Sequence, residues 1–256
     1  MGKPIVITFA NQKGGVGKTT SAVNIAAAVG AMGYKVLLCD LDPQGNATSG
    51  VGVSKKALRY SAYNALIGEC DPALAVYKTN FNNLWVMPST IDLAGAEIEL
   101  IEKEGREYAY KRIIDAVGSD FDFVFTDCPP SLSILTVNAL SAADGVVIPM
   151  QCEYYSLEGL SQLMISIKKV KQLYNPSLTI TGILITMYNG RLNLSAHVLG
   201  EIKKYYADRL FKTSVTRSVK LSEAPSFGEP IYYYDKYSKG ALAYTEIAKE
   251  LIARVM

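Results

Sequence analysis

The stretch Lys13-Gly14-Gly15-Val16-Gly17-Lys18-Thr19-Thr20 lies between an apolar run, Ile5 to Ala10, and an alanine-rich, helix-prone segment, Ser21 to Met32. A strand, a glycine loop and a helix in that order make a phosphate cradle. Glycines at 14, 15 and 17 allow backbone conformations closed to residues with a Cβ, so successive N–H groups can turn inward around phosphate oxygens. The new helix adds its positive end. Lys18 stands where it can reach terminal phosphates, the Thr19 hydroxyl where it can ligate Mg²⁺, and Thr20 where it can donate to a phosphate nearer the base. Gln12 occupies the place where the strict G-x-x-x-x-G-K-[ST] pattern has glycine, so the loop is a variant. Lys13, one residue before the glycine pair, reads equally well as a solvated lysine beside a tight turn.

Outward from this loop, apolar runs recur at Lys35 to Asp40, Leu84 to Met87, Phe121 to Asp127, Gly145 to Met150 and Leu178 to Met187. Their hydrophobicity is continuous rather than alternating, which predicts strands covered on both faces. Leu157, Leu160, Leu163, Met164, Ile167 and Val170 share one helical stripe, and Ala241, Tyr244, Ala248, Leu251, Ile252 and Val255 form another; both read as core-facing helices. The alternation predicts an α/β fold, a doubly wound and mainly parallel sheet with helices on both faces, whose ligands bind beyond the carboxyl ends of the strands. Val51 to Tyr77 is less regular and reads as a helical insertion broken at Gly68 and Pro72.

The chain has 256 residues, 49% of them hydrophobic and 20% charged, as expected for one domain spanning residues 1–256 with a large core. A formal net charge of +2 rules out a polycation, so nucleic-acid binding requires a local concentration of cations. Cys39, Cys70, Cys128 and Cys152 show no C-x-x-C spacing, which disfavours a metal cluster; Cys39, Cys128 and Cys152 sit at apolar runs and read as small buried hydrophobes in a reduced, cytosolic setting. The first strand begins by about residue 4, and no run of eighteen or more apolar residues occurs, so neither export nor membrane spanning is expected.

Phosphoryl transfer to water needs charge neutralisation, donors around the γ-phosphate and a group that orients the attacking water. Phe123 to Thr126 lead into Asp127, a Walker B pattern. A lone aspartate at a strand end also serves as a helix cap, but a phosphate loop in the same chain favours the metal-side role. Asp42, one step past the end of the second strand and next to Pro43, is the candidate for orienting water, with Asp40 as a carboxylate either on the metal side or behind the groups that touch it. Between Arg191 and Lys220 lie seven basic residues and two acidic ones, a local balance of +5 that exceeds the charge of the whole chain. Such a cluster is either a solvated helix face or a surface for DNA phosphates. His197, the only histidine, reads as surface or packing.

Lys13 to Thr19 resemble the deviant Walker A motif of the ParA/MinD ATPases. Asp40-Leu41-Asp42-Pro43-Gln44-Gly45-Asn46, Asp127-Cys128-Pro129-Pro130-Ser131 and Leu221-Ser222-Glu223-Ala224-Pro225-Ser226 resemble the ParA/Soj chromosome- and plasmid-partition branch, and the likeness runs over nearly the whole chain. The resemblance implies a P-loop NTPase fold that uses ATP, ADP and Mg²⁺. Nucleotide would contact Lys13, Gly14, Gly15, Val16, Gly17, Lys18, Thr19 and Thr20; the metal residues would be Thr19, Asp127 and Asp40, and the catalytic ones Lys13, Lys18 and Asp42. ATP would sandwich two subunits, with Lys13 reaching the partner's phosphates. Non-specific DNA would be held through Arg191, Arg217 and Lys220, and a ParB-like DNA-bound partner would stimulate slow hydrolysis, giving a cytoplasmic, nucleoid-associated protein. In this branch the loop Thr216, Arg217, Ser218 would line the adenine, although Thr216 stands where proline is common. Rival readings are a MinD-like membrane-cycling ATPase, which needs an amphipathic anchor, and a nucleotide-gated interaction protein.

Overall fold

A computed structural model describes residues 2–256. All six apolar runs form strands, within one or two residues at their ends. The strands in chain order are β1 (Ile5–Phe9), β2 (Val36–Asp40), β3 (Tyr77–Lys78), β4 (Leu84–Met87), β5 (Phe123–Asp127), β6 (Gly145–Gln151) and β7 (Thr179–Thr186). They make one sheet in the order β3-β4-β2-β5-β1-β6-β7, parallel throughout except for the β3–β4 pair. The two-residue β3 escapes a reading based on apolar runs because it is short and half exposed at the sheet edge.

The helices are α1 (Lys18–Ala31), α2 (Asn46–Gly50), α3 (Ala62–Ile67), α4 (Leu93–Glu99), α5 (Ala109–Val117), α6 (Ile134–Ala142), α7 (Ser156–Leu173), α8 (Asn193–Tyr206), α9 (Val219–Glu223), α10 (Ile231–Tyr234) and α11 (Lys239–Val255). Successive side chains of a strand point to opposite faces, and two cores result. Ile7, Phe9, Val36, Leu38, Phe123 and Phe125 pack with α1 and α11, while Val6, Leu37, Cys39, Val124, Val146 and Ile148 pack with the side of the sheet that carries α5, α6 and α7. The doubly wound architecture is therefore the one expected from continuous hydrophobic strands.

Local chemistry sets the helix ends. α1 starts at Lys18, three residues before the alanine-rich run, because Gly17 caps it in the left-handed conformation (φ 81°). The region read as a helical insertion holds a single short helix, α3, opened by a Ser61/Asn64 capping box and ended by Gly68 at φ 80°. Pro72 then starts a 3₁₀ turn capped by Asp71. Cys39, Cys128 and Cys152 are buried free thiols, and His197 is exposed on α8. Among the described residues, no helix is long and apolar enough to cross a membrane.

The strand register prepares the site. Phe9 pairs with Asp127 and Asp127 with Asp40, so the carboxyl ends of β1, β5 and β2 are level. From β1 the chain winds to β2 on one side, and from β5 to β6 on the other, which opens a crevice above the β1–β5 pair.

Candidate active site

The loop from Asn11 to Gly17 fills that crevice. Gly15 (φ 72°) and Gly17 (φ 81°) adopt left-handed conformations in which a side chain strains the backbone. Gly14 does not: its φ is ordinary, and a Cβ there meets only Pro130, 4.0 Å away. Two of the three glycines, rather than all three, are thus required by backbone shape. The loop is also gripped from the neighbouring strands. Gln151 Nε2 donates to the Gly15 carbonyl (2.7 Å), the Thr186 hydroxyl to the Val16 carbonyl (2.7 Å), and Asn11 Nδ2 to the Pro149 carbonyl (2.8 Å). Sequence reasoning missed Gln151 and Thr186; their one signal is a polar residue closing an apolar run.

Lys18 is only 6% exposed, and its ammonium donates to the Lys13 carbonyl at 3.2 Å. Burial lowers its pKa, while the Asp127 carboxylate pulls in the other direction. Asp127 is fully buried, and neither carboxylate oxygen has a hydrogen-bond partner. Burial pushes its pKa well up, helped by Asp40 and Asp42 and opposed by Lys18 and by the Thr19 hydroxyl, which approaches without completing a hydrogen bond. Two orphaned buried oxygens beside a threonine hydroxyl are hard donors with nothing of the protein to bind, and they fit Mg²⁺, which takes few protein ligands and keeps waters and phosphates.

Asp40 is different. Its Oδ2 accepts from the backbone N–H and the hydroxyl of Thr48 (2.8 and 2.7 Å), and its Oδ1 from the Asp42 N–H at 3.2 Å. It therefore anchors the loop that carries Asp42, with both oxygens already engaged by protein donors. Asp42 Oδ1 accepts from the Gln44 N–H (2.9 Å), and no other side-chain hydrogen bond engages it.

Burial pushes the Asp40 pKa up to about 6 against the Thr48 hydrogen bonds. A carboxyl whose folded pKa is raised binds a proton in the folded chain that the unfolded chain has already lost, so stability falls as pH rises through about 6. The nucleotide-free protein is expected to melt at lower temperature at pH 8 than at pH 5.5, by about 1 kcal/mol of stability. The slope should shrink in an Asp40→Asn variant; an unchanged slope would show that this carboxyl is not its source.

Beside the start of α1 lies a cavity of about 440 Å³, a volume suited to a small-molecule ligand. Thr216, Arg217 and Ser218 line it together with Gly17, Thr20 and Met187. Their loop is strapped to the end of β7 by Val215 N–H to Ile185 O and Tyr188 N–H to Val215 O, both 2.9 Å. Met187 has φ 49°, a strained value for a methionine, of the kind concentrated at ligand sites. Tyr244, expected only as core, also reaches the cavity and pairs its hydroxyl with Ser21 Oγ at 3.1 Å.

Residues 5–180 match the AAA domain family. The chain is 51% identical to the sporulation initiation inhibitor protein Soj of Bacillus subtilis over 99% of both sequences, and 45% identical to the chromosome partitioning protein ParA of Myxococcus xanthus over 97% of this chain and 88% of that one. The chain belongs to the ParA/Soj family of partition ATPases. A solved structure titled cobyrinic acid a,c-diamide synthase from Mycobacterium smegmatis, with bound ADP and magnesium, superposes at a TM-score of 0.85 with 39% identity, covering 97% of this chain and 94% of that one.

In this ParA/Soj chain the signature lysine, Lys13, is half exposed and forms an ion pair with Glu153, just past the end of β6. The basic region is partly spoken for. Lys204 pairs with Glu201 (2.5 Å), Arg209 lies 3.8 Å from Asp208, and Lys220 is tied to Asp235. Among the described residues, Arg191, Lys203, Lys212 and Arg217 form no ion pair and are exposed. Of the three candidate DNA contacts, Arg191 and Arg217 are therefore free, whereas Lys220 must exchange Asp235 for a phosphate.

Proposed function

We propose that this chain, read as one ATPase unit over residues 1–256, is a partition ATPase that binds Mg²⁺-ATP, dimerises around it, holds DNA without reading sequence and lets go when a ParB-like partner stimulates hydrolysis. The observation that carries the reading is the pair of orphaned Asp127 oxygens beside Lys18, under a glycine cradle whose Gly17 lines an open cavity. Thr19 and Asp127 are the residues that would hold Mg²⁺, which when bound supplies charge neutralisation for phosphoryl transfer. Lys18 contributes a desolvated cation to the terminal phosphates, and the amides around Gly15 and Gly17 contribute fixed donors. Asp42, with one oxygen tied to Gln44, accepts from the attacking water with the other and so orients it. Adenine occupies the cavity at Thr216 to Ser218.

Arg191 and Arg217 offer unpaired cations for DNA phosphates, and Arg217 also lines the nucleotide cavity. Contact between the two sites through one residue supports a DNA affinity set by nucleotide. Retention on duplex DNA, titrated with salt in the apo, ADP and ATP states, is expected to be tight only with ATP and to fall steeply as salt rises. Changing Arg191, Arg217 and Lys220 together to glutamate should abolish it. Equal retention in all three nucleotide states, or intact retention by the variant, would remove the DNA-binding part of the proposal.

The likeness to the M. smegmatis protein described as a cobyrinic acid a,c-diamide synthase suggests a second reading, a synthase. The higher identity to the proteins named Soj and ParA, 51% and 45% against 39% over similar spans, favours partition. A MinD-like reading needs an amphipathic helix free to lie on a bilayer, and α11 instead buries Tyr244, Ile247, Ala248 and Leu251 against the sheet.

A further inference from the structure

Helix α4 is apolar on two opposite sides. Leu93, Ala96 and Leu100 face the core and are fully buried. Ile91, Ala94, Ile98 and Ile101 follow each other at spacings of three and four residues, from the turn before the helix into the 3₁₀ turn after it, and they face solvent. Ile91 is 68%, Ile98 71% and Ile101 59% exposed. Single exposed isoleucines are ordinary; three on one heptad-like stripe mark a helix that lacks a neighbour.

The surroundings of the stripe are charged with one sign. Residues 91–107 hold six acidic side chains, Asp92, Glu97, Glu99, Glu102, Glu104 and Glu107, against two basic ones, Lys103 and Arg106. Lys103 donates to the Ile67 carbonyl; Arg106 donates to the Ile101 carbonyl at 2.6 Å and pairs with Glu107 at 3.3 Å, which leaves the five acids from Asp92 to Glu104 without an ion pair among the described residues. Glu99, held by the Tyr63 hydroxyl at 2.7 Å, and Glu102 flank the isoleucines along one side, with Glu97 on the other. A second copy of the same face would meet its own charge and be repelled.

We infer that the exposed α4 stripe is a docking surface for a basic amphipathic helix of a partner protein, its apolar residues against Ile91, Ile98 and Ile101 and its lysines or arginines against the flanking glutamates. Charge complementarity and helical spacing select this occupant. The stripe begins two residues after Ser89, whose N–H donates to Thr48 Oγ1 at 2.9 Å, and Thr48 holds Asp40. The turn that opens the stripe is thus joined through Thr48 to Asp40, where the loop that carries Asp42 begins.

The test is fluorescence anisotropy with the full chain and a labelled synthetic helix of about three heptads, leucine at a and d and lysine or arginine at e and g, whose own pairing the like charges suppress. Binding is expected to wild type and to fall at least about tenfold in Ile98→Ser/Ile101→Ser and in Glu99→Gln/Glu102→Gln. It should persist in Ile165→Ser, which alters an exposed isoleucine on α7. A scrambled peptide, and one with glutamate at e and g, should bind at least about tenfold more weakly. Absence of binding, equal binding to the isoleucine variants, or equal binding of the scrambled peptide would overturn the inference. So would concentration-dependent self-association of wild type that the isoleucine variants abolish, which would make a second copy the occupant. ATP binding, measured on the same variants, should be unchanged, so a failure here leaves the nucleotide site unaffected.

Discussion

A Lys18→Ala variant is expected to lose ATP hydrolysis by at least about a thousandfold, roughly 4 kcal/mol of transition-state stabilisation, and to lose measurable nucleotide affinity. Lys18 is a buried cation whose one side-chain hydrogen bond is to the Lys13 carbonyl, and the carboxylates of Asp127 and Asp42 lie within its field. With Lys18 gone, Asp127 and Asp42 face the phosphates without the ammonium that offsets their charge. The fold should survive, because β1 and the rest of α1 are anchored by core residues such as Phe9, Ile25 and Val29 rather than by Lys18. The decisive measurement is therefore a pair of melting curves. ATP at about a hundred times its dissociation constant adds about 2.7 kcal/mol to wild type and should add nothing to the variant. A nucleotide-dependent shift of wild-type size in Lys18→Ala would mean that the ligand is held elsewhere.

A Lys13→Gln variant is expected to bind ATP within about tenfold of wild type yet fail to dimerise with it, as read by light scattering. The ion pair to Glu153 makes this a sharper test than sequence alone allows. An exposed pair of this kind contributes about 0 to 1 kcal/mol, so Lys13 can leave Glu153 for a triphosphate at little cost. If its task were only that surface pair, Lys13→Gln and Glu153→Gln would behave alike. If it reaches the partner subunit's phosphates, they should differ in direction: Glu153→Gln releases Lys13 and should dimerise as well as wild type or better. Loss of dimerisation in both, or retention in both, would refute the trans role.

Which parts of the site were legible follows from how far apart in the chain their determinants lie. The cradle is contiguous: an apolar strand, two glycines with positive φ and a helix follow within about thirty residues, each shaped by its own backbone preferences. Asp40 and Asp127 were readable because each closes an apolar run, and strand ends in a parallel sheet point to the ligand crevice. Sheet strands were readable from hydrophobic continuity, since burial on both faces leaves no polar positions; β3, two residues long and half exposed, left no such trace.

Other features could be seen only after the strands were placed in order. Gln151 reaches Gly15 across 136 positions of sequence, and Thr186 reaches Val16 across 170, because β6 and then β7 come to lie beside β1. The same placement brings Glu153 to Lys13, and the packing of the C-terminal turns brings Asp235 to Lys220. That Asp40, readable as a carboxylate either on the metal or behind it, anchors the Asp42 loop became visible only once Thr48 turned back onto it. Residue order thus settled the glycine loop, the strands and the acidic strand ends, all products of local geometry and of which side chains avoid water. Partners of Lys13, Lys220, Asp40 and Gly15 were settled by packing, since a hydrogen bond or ion pair between distant segments exists only where burial of the whole sheet brings them within reach.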